Sequence, residues 1–254
     1  TIRDVPGPVD AAILTTPAEM VPQVLEDCGE KGVKGLVVVT SGFGETGEEG
    51  KRLERVLVSR CREWGMVLVG PNTMGGLCPH SAFFATGTHA RPQKGSVAFI
   101  SQSGNLGNQR IHWADQQGIG ISLFAGSGNE GMVTCSDYLE YLERDPHTGT
   151  IVLYLESVKD GRRFLEVSGR VNRIKPVIVL KGGRTEAGTG ASASHTGAMA
   201  GETVTFRRIR RRRMRSTTCV IHSGSKSREL WPHPGRTTTS PRGNTALSQG
   251  TIIA

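Results

Sequence analysis

Aromatic side chains are scarce in this chain, 5% of its residues. No apolar run approaches the ~20 residues that a helix needs to cross a bilayer, so nothing in the sequence calls for a membrane. Cysteines are few and odd in number: Cys28, Cys61, Cys78, Cys135 and Cys219, none in Cys-x-x-Cys spacing. That favours the reduced thiols of a cytoplasmic protein over a disulfide framework or a thiolate zinc site. His80, His89, His112 and His147 show no ligand spacing either, so no metal site is expected. Basic charge is missing from most of the chain as well. The formal net charge is +8, but Arg207 to Ala254 holds ten Arg, one Lys and one Glu, a net of +10, which leaves the preceding 206 residues at −2. The nucleic-acid partner that a basic protein suggests therefore rests on the tail alone.

Glycine is what the chain has in quantity, 34 of 254 residues, as suits tight turns and ligand loops. From Asp10 the pattern alternates. Ala11–Thr15 reads as a strand, and a helix opened by Pro17 buries Met20, Val21, Val24 and Leu25. Gly35–Thr40 is a strand apolar on both faces, as a buried parallel strand needs. The loop Ser41-Gly42-Phe43-Gly44-Glu45-Thr46-Gly47 leads to a helix from Glu48 to about Trp64, burying Leu53, Val56, Leu57 and Cys61. Met66–Val69 is a third strand, followed by Gly70-Pro71-Asn72. Such alternation means parallel pairing with right-handed crossovers, and ligands bind beyond the carboxyl ends of the strands. Three strands make a thin sheet, and the first half of this domain is expected to be absent from the chain.

Residues 77–94, with Pro79 and Pro92, read as a linker. A second α/β unit follows over 95–206: strands Val97–Ser101, Ile119–Ala125, Thr150–Leu155 and Val177–Leu180, and helices Gly104–Gln117, Cys135–Arg144 and Gly161–Asn172. After about Thr205 this order stops. The tail, 207–254, shows neither period, and its composition does not bury a core. A basic arm for nucleic acid and a frame-shifted or foreign translation both account for it, the second also explaining the strands missing from the sheet.

Three features carry chemistry. Ser101-Gln102-Ser103-Gly104 stands where a strand hands over to a helix, whose first N–H groups lack internal partners and carry about half a positive charge. Two hydroxyls and a glycine there make a phosphate cradle. His195, in the small-sided run Gly188 to Gly201, presents an imidazole on a segment able to swing. Phosphohistidine chemistry needs one imidazole nitrogen unprotonated and the other held by an acceptor, and Glu156, ending a strand, is a suitable acceptor.

These pieces resemble the α-type subunit or half of the NDP-forming acyl-CoA synthetases, relatives of the succinyl-CoA synthetase α subunit. The resemblance is carried by Gly70-Pro71-Asn72, Ser101-Gln102-Ser103-Gly104, Gly128-Asn129-Glu130 with Asp137-Tyr138-Leu139, Tyr154-Leu155-Glu156, Lys175-Pro176-Val177 and Ser194-His195-Thr196-Gly197-Ala198-Met199-Ala200-Gly201, in family order from about Val9 to Gly201. It implies a partial Rossmann-like CoA-binding domain (1–76) followed by a flavodoxin-like doubly wound parallel domain (95–206). It also implies the reaction acyl-CoA + NDP + phosphate ⇌ carboxylic acid + CoA + NTP, with a small carboxylic acid as substrate. His195 would be the phosphorylated shuttle, Glu156 its orienting carboxylate, and Ser101, Ser103 and Gly104 the phosphate site. Ser41, Gly42, Phe43 and Asn72 would lie along the CoA thiol arm. ATP or ADP and Mg²⁺ would come on an ATP-grasp partner, a β-type subunit or a fused domain. The family's N-terminal Gly-rich CoA turns are absent, and Thr73 stands where the family usually has Cys, so this polypeptide is not expected to turn over alone. A regulatory CoA-binding module, such as the synthetase-like half of some protein acetyltransferases, is the alternative; those lack the phosphorylatable histidine as a rule.

Overall fold

The computed structural model describes residues 1–182 and 220–222. His195 and the arginine run 207–213 lie outside the described residues. The first unit is β1 (Ala11–Leu14), α1 (Val21–Glu30), β2 (Gly35–Val38), α2 (Glu48–Glu63) and β3 (Val67–Val69), with the strands in the order β1-β2-β3. All pairing is parallel, Leu14 opposite Val38 and Leu36 opposite Leu68. Two right-handed crossovers stepping the same way put both helices on one face of the sheet. Leu14, Leu36, Val38 and Leu68 accordingly pack with Val21, Leu25 and Cys28 of α1 and Leu57, Val58 and Cys61 of α2. The opposite face is not covered as the two-sided apolar pattern led one to expect, since Ile13 and Val67 remain 47% and 50% exposed. Two helix details also differ. Pro17 precedes a short 3-10 turn, Ala18–Met20, and Pro22 occupies the first turn of α1. Met20 and Val56 are exposed, because each falls off the face its helix turns to the sheet.

The second unit comprises β4 (Gly75–Cys78), β5 (Phe83–Thr86), β6 (Lys94–Ser101), α3 (Gly104–Gln116), β7 (Ile121–Gly126), α4 (Cys135–Arg144), β8 (Thr150–Leu155), α5 (Gly161–Val171), β9 (Val177–Lys181) and β10 (Val220–His222). The sheet order is β10-β9-β8-β6-β7-β4-β5. Side chains alternate between its faces. Ala98, Ile100, Leu153 and Leu155 meet α4 and α5 through Leu139, Leu142, Phe164 and Val167, while Phe99 and Phe124 meet α3 through Ile111 and Ala114. This is the doubly wound arrangement, with an antiparallel hairpin added at one edge.

That hairpin corrects the linker reading of 77–94. β4 pairs antiparallel with both β5 and β7. The glycines are what allow it: Gly75 has φ +76°, and a Cβ there would lie 2.0 Å from the Ala85 carbonyl oxygen. The strandless reading of 207–254 also fails at one place, where the short apolar run Val220-Ile221 pairs parallel with β9 and extends the sheet.

Two polar features sit inside the second unit. At the start of α4 the Asp137 carboxylate accepts from the Thr134 N–H at 2.8 Å and hydroxyl at 2.6 Å, and from Arg163 of α5 at 2.7 Å. Burial alone would raise the Asp137 pKa, but these donors outweigh it and hold it below its ordinary value. In the β7–α4 loop, Glu130 takes a left-handed backbone (φ +54°) and is only 2% exposed. Burial raises its pKa, against the nearby Gln102 and Ser127 side chains, the Cys135 N–H and Lys159, which favour the charged form. Neither of its carboxyl oxygens makes a hydrogen bond of ordinary geometry among the described residues, and the hydroxyls of Ser127 and Tyr138 are in the same position.

Two outcomes are expected. Asp137→Asn lowers stability at neutral pH by about 1 kcal/mol, no more because the pair is partly exposed. A depressed carboxyl stabilises above its unfolded pKa, so the deficit shrinks as pH falls below ~4; urea unfolding at pH 7 and pH 3 checks it. Glu130→Gln acts with the opposite sign. A raised carboxyl stabilises below the unfolded value and loses that contribution as pH climbs towards the folded one. The variant's stability relative to the parent therefore increases above pH ~4.5, and a series of melting temperatures from pH 4 to 9 measures it.

Candidate active site

The parallel register of β6 against β8 sets Ser101 opposite Tyr154. Both strands stop at the same edge, so the Ser101–Gly104 turn and Glu156 emerge side by side. Ser103 is the N-cap of α3, its hydroxyl accepting from the Leu106 N–H at 3.4 Å and its carbonyl from the Gly107 N–H at 3.0 Å. Ser101 is wholly buried and donates its hydroxyl to the Ser103 carbonyl at 2.8 Å. It shapes the turn, and the half-buried Ser103 and Gly104 form the accessible part. Glu156 is 5% exposed. Its N–H donates to Gln102 Oε1 at 2.6 Å, and its carbonyl accepts from Lys181 Nζ at 2.7 Å.

The second wall comes from the first unit. Ser41 is exposed just beyond β2, whereas the Phe43 side chain is 2% exposed and belongs to the core, so only its backbone faces the loop. The N–H groups of Gly42 and Phe43 donate to Glu45 Oε1 at 2.6 and 3.2 Å, and that of Gly44 to Glu54 Oε2 at 3.1 Å. Asn72, with φ +56°, donates its N–H to the Thr40 carbonyl at 2.9 Å, joining the loops that follow β2 and β3. The cis Gly70-Pro71 bond lies in the same loop.

The two walls are tied together by Asn129. Its Nδ2 donates to Glu45 Oε2 at 2.5 Å and Glu54 Oε2 at 2.9 Å, its Oδ1 accepts from Asn72 Nδ2 at 3.2 Å, and its N–H donates to the Pro71 carbonyl at 2.9 Å. Thr73 donates its hydroxyl to the Gly126 carbonyl, and a Cβ on Gly104 would lie 2.9 Å from the Met74 side chain. The loop carrying Asn72 thus lies against the first residue of α3. Asn72, Ser103, Gly104 and Glu156 share one edge, while His195 lies outside the described residues.

Glu45, Gln102, Asn129 and Lys181 were not singled out from the sequence. Asn129 had a signal, its place in Gly128-Asn129-Glu130, but nothing in the local pattern names its partners. Among the described residues no group of three or more His, Cys, Asp or Glu is placed to hold a metal ion. No helix among them is long and apolar enough to cross a membrane.

Both units of the chain are similar to known proteins. Residues 1–79 match the family described as CoA binding domain, and residues 94–214 the family described as succinyl-CoA ligase like flavodoxin domain. The α subunit of acetate–CoA ligase (ADP-forming) II from Pyrococcus furiosus is 47% identical over 201 residues, 79% of this chain and 44% of that protein. Acetate–CoA ligase (ADP-forming) I from Archaeoglobus fulgidus is 42% identical over 82% of this chain and 30% of its own length. Among solved structures, the dinucleotide-forming acetyl-coenzyme A synthetase 1 of Ca. Korarchaeum cryptofilum, in complex with phosphate and ADP, superposes with a TM-score of 0.77 at 42% identity. The match covers 82% of this chain and 45% of that one. This chain therefore spans less than half the length of these relatives. They are ligases, which does not favour the regulatory-module reading. With both its domains matched in order, the chain belongs to the NDP-forming acyl-CoA synthetases and matches part of their α-type half.

Proposed function

We propose that the chain is the acyl-CoA-handling and phosphoryl-shuttling part of an ADP-forming acid–CoA ligase acting on a small carboxylic acid. The observation that carries this reading is the shared edge, where the capped N-terminus of α3, the Glu156 carboxylate and the loops of Ser41 and Asn72 meet. Bound CoA supplies the thiol, and a nucleotide with Mg²⁺, held by an ATP-grasp partner unit, fused or separate, supplies or accepts the phosphoryl group.

The residues present fit these groups. Gly104 brings the α3 backbone within reach of a phosphate, and Ser103 adds a hydroxyl beside the first-turn N–H groups, where developing negative charge is favoured. Ser101 keeps that turn in shape. Ser41, the Gly42 and Phe43 backbone, and Asn72 would line the thiol arm. Phosphate would first displace the CoA thiol from the acyl carbon, and in the transfer itself a neutral His195 nitrogen would attack the phosphorus of that acyl phosphate, the N–P bond forming as the P–O bond to the departing carboxylate breaks. Glu156 accepts the N–H of the other nitrogen and stabilises the positive charge that the ring gains. Reversal of the same step at the nucleotide returns His195 to its neutral form.

Incubating the full chain with an ATP-grasp partner and γ-labelled ATP should give an acid-labile, alkali-stable label on His195. His195→Asn abolishes it, and Glu156→Gln slows its formation on the order of 10²-fold. A chain that takes no label under conditions where its relatives do would end this reading.

A further inference from the structure

A strand that leaves its sheet exposes backbone N–H and C=O groups that need partners once they are buried. At the end of β8 those partners are two side chains from the neighbouring strands. Gln102, in the turn after β6, accepts at Oε1 from the N–H groups of Glu156 (2.6 Å) and Ser157 (3.0 Å) and donates from Nε2 to the Ser157 carbonyl at 3.0 Å. Its own N–H donates to the Tyr154 carbonyl at 3.1 Å. From the other side Lys181, opposite Leu155 in the β8–β9 register, donates from Nζ to the carbonyls of Glu156 (2.7 Å) and Gly182 (2.5 Å). Gln102 is 7% exposed and Lys181 3%.

Burying an amide and an ammonium costs free energy that an apolar side chain would not. Pairing backbone groups that would otherwise be buried without partners offsets that cost. Their geometry does something else: both backbone polar groups of Glu156 are held, so its Cα–Cβ direction is fixed relative to the Ser101–Gly104 turn, of which Gln102 is itself a member. The second Lys181 bond attaches Gly182, the residue that follows β9.

We propose that Gln102 and Lys181 are positioning residues that fix the Glu156 carboxylate against the phosphate turn, so that it meets the His195 imidazole in the orientation the transfer needs. This rests on the ligase reading given above.

Two measurements on the full chain separate the clamp from that reading. The first needs no partner: amide hydrogen exchange at Glu156 and Ser157. In Gln102→Leu it should quicken about tenfold at Ser157 and Glu156, the scale expected for one lost hydrogen bond, with exchange in β6 and α5 unchanged. Equal exchange in parent and variant overturns the clamp. The second is His195 labelling with an ATP-grasp partner. Gln102→Leu and Lys181→Met should each lower the maximal labelling rate about tenfold or more with little change in the KM for ATP, and Lys181→Arg should restore most of it. Labelling that falls only in proportion to the unfolded fraction seen by circular dichroism, or equally in KM and rate, makes the pair merely structural and overturns the proposal. If Gln102→Leu fails to fold, Gln102→Asn carries the same test, its shorter amide being unable to hold both N–H groups. A parent chain that takes no label ends the ligase reading, and the exchange result then decides the clamp alone.

Discussion

The register of β6 against β8 is the constraint on which the candidate site depends. With Ser101 opposite Tyr154, the two strands run out of pairing at one level, and the residues after them face the same space. A slip of one residue would send every side chain of the shifted strand to the other face. Leu153 and Leu155 would then leave the α4–α5 layer, where both are fully buried. The apolar alternation of β8 therefore does two things at once. It fixes the core, and through the core it fixes where Glu156 stands relative to the N-terminus of α3.

Polar groups at this edge follow a different logic from the rest of the fold. Elsewhere ion pairs such as Lys51 with Glu48 and Arg52 with Glu49 lie on exposed helix faces, and pairs of that kind contribute little. Near the edge, Gln102, Glu130, Glu156 and Lys181 are all under 8% exposed. A left-handed Glu130 with no ordinary hydrogen bond to its carboxyl among the described residues is a local cost. Cores optimised for stability avoid such costs, and sites that must hold a particular geometry accept them.

How far all this could be read from the sequence varies with the kind of evidence. The turn Ser101–Gly104 was legible because an apolar strand, a hydroxyl cap and a glycine are neighbours in the chain, and α4 and α5 were legible from their apolar period. The β4–β5 hairpin was not. Its strands are four residues each, and the Gly75-Gly76 pair and Pro79 look like loop signals until one sees that the glycines are what let the backbones approach. Gln102 and Lys181 were illegible for a further reason. Their partners depend on the order β9-β8-β6, a property of the folded sheet with no local signature. Ser101 and Phe43 show the converse error. A motif singles out their positions, but burial decides which of their atoms are open to the site, and in both residues the side chain turns inward.

Asn129 gives the arrangement a mechanical consequence. Its side chain joins Glu45 and Glu54, whose other bonds hold the N–H groups of Gly42, Phe43 and Gly44, to Asn72 and to the β7–α4 loop. Thr73 and Met74 then continue the connection to Gly126 and Gly104. A ligand that displaced the Glu45 carboxylate from the Gly42 and Phe43 amides would at the same time loosen one of the bonds that Asn129 makes across the units. The loop proposed to follow the CoA arm and the turn proposed to receive phosphate are thus not independent sites. They are two sides of one seam of hydrogen bonds and close packing.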